Sequence, residues 1–211
     1  MRMKIALLGL TVLAAGCTLL SPRHDPSRFY TLSPRMGGAA GARPSPSTAG
    51  LTIVVGPVTL PAYLDRNEVA VRVSASELKY ALTERWAEPL VQTLTRVVIE
   101  NLGAALGTDG VSGVANASTV TPDYAIELVV IRFEATADGK AELTARWAVR
   151  DRARKIVRIR QSQHERQAAA ATVEGGVNAM SAALGDLSDE IAAVLRELAA
   201  ADPELSRRAR P

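Results

Sequence analysis

Apolar residues along the chain follow two periods. Between Val177 and Leu198 they recur in alternating steps of three and four, at Val177, Met180, Leu184, Leu187, Ile191, Val194 and Leu198. That spacing predicts a helix with one apolar stripe, either lying against its own sheet or forming a coiled-coil seam. A second helix is predicted from Pro89 to Leu106, where Leu90, Val91, Leu94, Val97, Val98, Leu102 and Ala105 form a wide apolar face opposite Gln92, Arg96, Glu100 and Gly103. At ~1.5 Å per residue it would be ~27 Å long, about the width of a small domain. Proline suits its first position, because the missing N–H has no intrahelical partner there, and Gly107 is the expected stop.

Elsewhere the period is two. Val69, Val71 and Val73 alternate with Ala70, Arg72 and Ser74, as in a strand with one buried face. From Tyr124 to Glu134, Ile126, Leu128, Val130 and Arg132 are expected on one side and Ala125, Glu127, Val129, Ile131 and Phe133 on the other. Asp138-Gly139 is a hairpin signal. After it Leu143, Ala145, Trp147 and Val149 should point inward, and a turn at Asp151–Ala153 leads to a third strand, Lys155–Gln163. Leu51–Val55 is a short apolar run expected to be a covered strand, which Gly56-Pro57 ends or bends, and Arg28–Leu32 has strand composition. Ser76–Ala81 fits either a short strand or a turn, Arg85–Leu90 opens the Pro89–Leu106 helix, and Thr108–Thr121 reads as a loop. The sum is an α+β fold: one mainly antiparallel β-sheet packed against two long helices in a single domain.

Composition adds the address. The 211 residues are 47% hydrophobic and 22% charged, which excludes wholesale disorder and suits one domain. Arg2 and Lys4 precede an apolar run from Ile5 to Leu13, too short to span a bilayer, and Ala14-Ala15-Gly16 leads to Cys17, the single cysteine. This end resembles a bacterial lipobox, which implies cleavage before Cys17 and lipidation of its thiol. By resemblance to enterobacterial lipoproteins, Thr18 after the lipidated residue implies outer-membrane sorting. The expected organisation is 1–16 signal peptide, 17–27 tether, 28–205 one domain with a flexible Gly- and Pro-rich loop at 34–50, and 206–211 a basic tail.

Charge and chemistry then exclude function classes. Of the 25 basic and 22 acidic residues, loss of Arg2 and Lys4 with the signal leaves 23 against 22, so no basic excess points to nucleic acid. Only His24 and His164 exist, no Gly-x-Ser-x-Gly elbow occurs, and no spacing matches a metal or phosphate-binding loop, so no catalytic residue, metal or cofactor is assigned. Asp65 and Glu88 are the one imaginable acid–base pair. The plainer reading has Asp65 organising a loop and Glu88 favouring a helix N-terminus.

Four blocks carry a family resemblance: Phe29-Tyr30-Thr31-Leu32, Val55-Gly56-Pro57-Val58, Pro61-Ala62-Tyr63-Leu64-Asp65-Arg66 and Arg85-Trp86-Ala87-Glu88-Pro89-Leu90. Together, behind a lipobox, they resemble the ABC-type transport auxiliary lipoproteins, the PqiC-like family. Asn67 departs from the proline often found there. The resemblance implies a non-enzymatic, periplasm-facing lipoprotein, commonly anchored in the outer membrane. Its implied partners are an MCE-domain protein and ABC transporter or permease components, with a role in lipid movement and membrane integrity. Tyr63, Leu64, Asp65, Arg66, Arg85, Trp86, Glu88 and Pro89 are then candidate contact or structural residues. A homo-oligomer through an edge strand or the heptad helix stays open, as does an alternative role in cell-wall or lipopolysaccharide assembly.

Overall fold

The computed structural model describes residues 25–35, 48, 50–114 and 121–208. The lipobox around Cys17, most of the 34–50 segment, residues 115–120 and the last three residues lie outside the described residues. The elements are β1 (Arg28–Tyr30), β2 (Ile53–Thr59), β3 (Glu68–Arg72), β4 (Leu78–Trp86), α1 (Leu90–Leu106), β5 (Val111–Gly113), β6 (Tyr124–Thr136), β7 (Lys140–Asp151), β8 (Ile156–Gln167), α2 (Val173–Ala201) and α3 (Pro203–Arg208). The fold is α+β, an eight-stranded mixed sheet with its two long helices on one face.

The thirteen-residue β6 is the axis of the sheet. On one side β7 runs antiparallel along nearly its whole length, and β8 runs antiparallel to β7; these are the two longest ladders. Gly139, with φ +83°, takes the left-handed position that closes the Asp138-Gly139 hairpin. On its other side β6 has two partners in succession. β2 pairs in parallel with it from Tyr124 to Val129, and β3 pairs in parallel at Ala135 and Thr136. The sheet therefore forks, with β5 extending the β2 branch and β4 then β1 extending the β3 branch.

α1 covers the β2–β5 branch and α2 covers β6, β7 and β8, with the two helices also packed on each other. Burial follows the helical stripes: Leu94, Val97, Val98 and Leu102 of α1, and Val177, Met180, Leu184, Leu187, Ile191 and Val194 of α2, are all buried. Ala183, Ala192 and Leu195 widen the second stripe. α2 thus lies against its own sheet, which is what a face wider than a two-position seam provides.

The edge strand β8 is joined to α2 differently. Its helix-facing Arg158, Arg160 and Arg166 meet Glu197, Glu190 and Asp186 of α2 in a row of ion pairs, and His164 Nε2 lies 3.2 Å from the Glu190 carboxylate. Long cationic side chains there cover the helix flank while keeping their heads at its wet margin.

Several local expectations are corrected. A bulge in β6 between Val130 and Arg132 reverses the alternation, so Phe133 is fully buried while Ile131 and Val129 are exposed. Val69 and Ala70 are both buried and Val73 is exposed, because β3 sits inside the fork rather than on a one-sided sheet. Arg85 and Trp86 end the nine-residue β4 instead of opening α1. Pro89 is the N-cap of α1, its carbonyl accepting from Gln92 N–H at 2.8 Å. The segment read as a loop after Thr108 contains β5. Of the two outcomes expected at Gly56-Pro57, the strand continues through it to Thr59, and α3 runs to Arg208. Of the aromatic pair on β1, Tyr30 packs on the core and Phe29 does not.

Candidate functional site

The chain has to cross the fork between the end of β2 and the start of β3, and the segment that does so contains Tyr63-Leu64-Asp65-Arg66. Pro61 holds extended geometry before a short 3-10 turn, Ala62–Leu64, and Asp65 N–H closes that turn on Ala62 O at 3.2 Å. Leu64 is buried in the core. Tyr63 points at the gap between the two ladders of β6, where Glu134 stands on the face away from the helices.

Glu134 is 0% exposed. A carboxylate so placed must be fully partnered, since an isolated buried charge is prohibitively costly. Its Oε2 accepts from Tyr63 Oη at 2.8 Å and from Phe133 N–H at 3.1 Å, and its Oε1 accepts from Arg72 Nε at 2.5 Å. Burial, and then the hydrogen bond to this carboxylate, push the Tyr63 phenol up to about 12. Tyr80 Oη donates to Tyr63 O at 3.2 Å, and the Arg66 guanidinium lies 4.5 Å from the centre of the Tyr80 ring, a cation–π contact.

The Tyr63–Arg66 and Arg85–Pro89 blocks meet at the same place. Arg66 pairs with Glu68 at 3.5 Å, Glu68 is the ladder partner of Arg85, and Trp86 N–H donates to Asn67 O at 2.7 Å. Trp86 is buried. The Asn67 carbonyl thus locks the loop to β4. Asp65 is left with an exposed side chain.

Glu88 and Pro89 lie beyond this frame, at the entry of α1. Glu88 pairs with Arg96 at 2.8 Å, and Arg96 also reaches Glu100 at 3.2 Å and Thr31 Oγ1 at 3.2 Å. This network rims a groove of about 740 Å³ between α1 and the β2–β5 branch. Its walls include Val55, Pro57 and Val58 of β2, Val91 and Ile99 of α1, and Val111 of β5. Gly56 takes φ +129° there, a conformation that strains any residue with a Cβ. The groove offers aliphatic surface with an ion-paired rim, so it suits an apolar contact and supplies no free acid or base.

The structure therefore joins Tyr63, Leu64, Arg66, Arg85 and Trp86 in one frame, places the Val55–Val58 block in the groove wall, and leaves Glu88, paired with Arg96, and Pro89 at the entry of α1. Glu134, Arg72 and Tyr80, which complete the frame, were missed by sequence reasoning. The only signal was a carboxylate inside a largely apolar strand, a feature shared by Glu127 of the same strand and by many solvated strand faces. Among the described residues no cluster of His, Cys, Asp and Glu could hold a metal, and no helix is long and apolar enough to cross a membrane.

This geometry defines an α+β scaffold whose distinctive residues build a frame. The profile of the ABC-type transport auxiliary lipoprotein component matches residues 30–192, from the end of β1 well into α2. The chain belongs to that family. Among solved structures, a Xanthomonas campestris protein of the DUF330 family is similar at TM-score 0.67 and 16% identity, covering 83% of this chain and 100% of its own. An uncharacterized protein is similar at TM-score 0.61 and 19% identity, covering 82% of this chain and 98% of its own. At these identities the likeness establishes a shared fold. Comparison with curated proteins gives no match.

Proposed function

We propose that this auxiliary lipoprotein is a non-enzymatic subunit of an MCE/ABC-type envelope lipid transport system. It is held by lipidated Cys17 in the outer membrane, faces the periplasm, links periplasmic components to that membrane and supports its integrity. The observation that carries this reading is the family match, which spans nearly every element of the sheet and most of α2. The site chemistry agrees with a structural rather than a catalytic role. Glu88 is committed to Arg96, and Asp65 ends a turn through its backbone. Tyr63, Arg66, Arg85 and Trp86 position the loop and β4, with no nucleophile or open acid–base pair among them.

Its partners are an MCE-domain protein and an ABC transporter or permease component. Affinity capture from membranes with the tagged, lipidated protein should recover an MCE-domain protein. Capture that lacks one, under conditions in which other envelope complexes survive, refutes the assignment. Cys17→Ser should remove the lipid mass from the N-terminal peptide and release the chain from the membrane fraction; an unchanged lipidated mass would overturn the anchor.

A further inference from the structure

β1 is the outermost strand of its branch, and its two aromatics part company. Tyr30 packs on the core, whereas Phe29 is 64% exposed. On the adjoining β4, Leu82 is 82% exposed, the highest value for a large apolar side chain among the described residues. The β3–β4 ladder explains its position. Glu68 faces Arg85, but the next pair is Ala70 with Tyr80, so Ala81–Glu84 has a single β3 residue, Val69, opposite it. A strand carrying extra residues at such a break bends, and Leu82 stands on the bend. Arg85 is the partner of Phe29. The two apolar residues are thus three positions apart along β4, or ~10 Å at ~3.3 Å per residue. Beside them Arg28 is exposed; its ladder partner is Glu84, with no ion pair between them.

Where the chain comes from identifies what covers this margin. Arg28 lies eleven residues after Cys17. Fully extended, eleven residues reach less than ~40 Å. The lipid anchor therefore keeps β1 within ~40 Å of its bilayer, which raises the effective concentration of its exposed side chains at the lipid surface. An aromatic beside a cation suits the headgroup region, the ring among acyl chains and the guanidinium on phosphate. The remaining exposed aliphatics on long strands, Val129, Ile131, Ile156 and Ile159, belong to β6 and β8. β8 is five strand spacings from β1, ~24 Å across the sheet.

We propose that Phe29 and Leu82 dip into the bilayer that holds the Cys17 anchor, so that the domain rests on phospholipid through β1 and β4 instead of swinging on its tether. This rests on the reading of Cys17 as lipidated.

The test uses the lipidated protein in phosphatidylethanolamine and phosphatidylglycerol vesicles, with and without brominated acyl chains. Tryptophan is introduced by Phe29→Trp, Leu82→Trp or, as the distant exposed control, Ile159→Trp. Trp86 and Trp147 are buried and supply a constant background. The added emission should be blue-shifted and largely quenched by brominated lipid in the first two variants and unquenched in the third. Equal quenching at all three sites, or none, overturns the proposal. A blue shift that is present in detergent, disappears on dilution and is insensitive to bromine overturns it in favour of a second protein copy. Mass spectrometry of the N-terminal peptide separates the premises: an unlipidated Cys17 refutes the anchor and the proposal with it, while a lipidated but unquenched protein refutes the proposal alone.

Discussion

Tyr63 donates its phenolic hydrogen to Glu134 across 2.8 Å, joining residues 71 positions apart in the chain. The bond closes the fork in the sheet, because Tyr63 belongs to the loop between its branches and Glu134 to the strand both branches share. Tyr63→Phe removes one of the acceptor's three close partners and should cost about 1–3 kcal/mol. Glu134→Ala, which leaves Arg72 without its buried counter-charge, should cost about 3–5 kcal/mol. Urea titrations of the two variants check the order. A Glu134→Ala protein as stable as the parent would show that the fork is held by packing alone.

The same burial predicts an alkaline limit. The phenols of Tyr63 and Tyr124 both sit at about 12, burial being the first cause in each; the Glu134 hydrogen bond adds to it at Tyr63, and nearby Asp202, Asp123 and Asp151 add to it at Tyr124. Below the ordinary value of 10.0 both phenols are neutral whether the chain is folded or not, and their contribution is intact. Above it the unfolded chain ionises while the folded chain holds its protons, so stability should fall between pH 10 and about 12. Denaturation midpoints across that window should drop, and less steeply in Tyr63→Phe.

An acid limb should arise at Asp186. Burial pushes its carboxyl up, but hydrogen bonds from Arg166 and Arg35 outweigh this and hold it below the ordinary 3.8. Stability from this pairing is present above that value and lost as pH falls through the lower folded one. Asp186→Asn should therefore be less stable at neutral pH and show a shallower decline in acid. It should also loosen the Ser33–Arg35 segment, seen as faster amide exchange at Arg35, whose N–H donates to Asn101 Oδ1 at 2.8 Å.

The bulge in β6 makes a paired prediction. Phe133→Ala should cost about 3–5 kcal/mol, as for a fully buried ring, whereas Ile131→Ser should stay within about 0.5 kcal/mol. Thermal unfolding of both variants reads out the register directly; the reverse order would place the bulge elsewhere.

Gly175-Gly176 is a packing device at the start of α2. A Cβ on Gly176 would lie 2.7 Å from Ala135 Cβ, and one on Gly175 would lie 2.2 Å from Ala170 O. Alanine gains about 1 kcal/mol of helix propensity over glycine. Overpacking against the sheet costs about 1–3 kcal/mol, so Gly176→Ala should lower the melting temperature. A rise would mean that the helix can move off β6.

Sequence periodicity determined both long helices, the β6–β7–β8 meander and the α+β class, and the Asp138-Gly139 dipeptide the hairpin. Each of these rests on neighbours within a few residues or on one face of one element, which a repeat of two or of 3.6 records. The family, too, was legible in four short blocks. Tertiary structure alone decided that β6 serves two branches, that Arg85 and Trp86 finish a strand, that Phe133 turns inward, and that a carboxylate 71 residues away completes Tyr63. The physical reason is that a ladder's partner and a bulge's position depend on what lies across the sheet. Glu134 is written in the chain like any solvent-facing strand residue, and becomes a buried anchor only when the Tyr63 loop crosses above it.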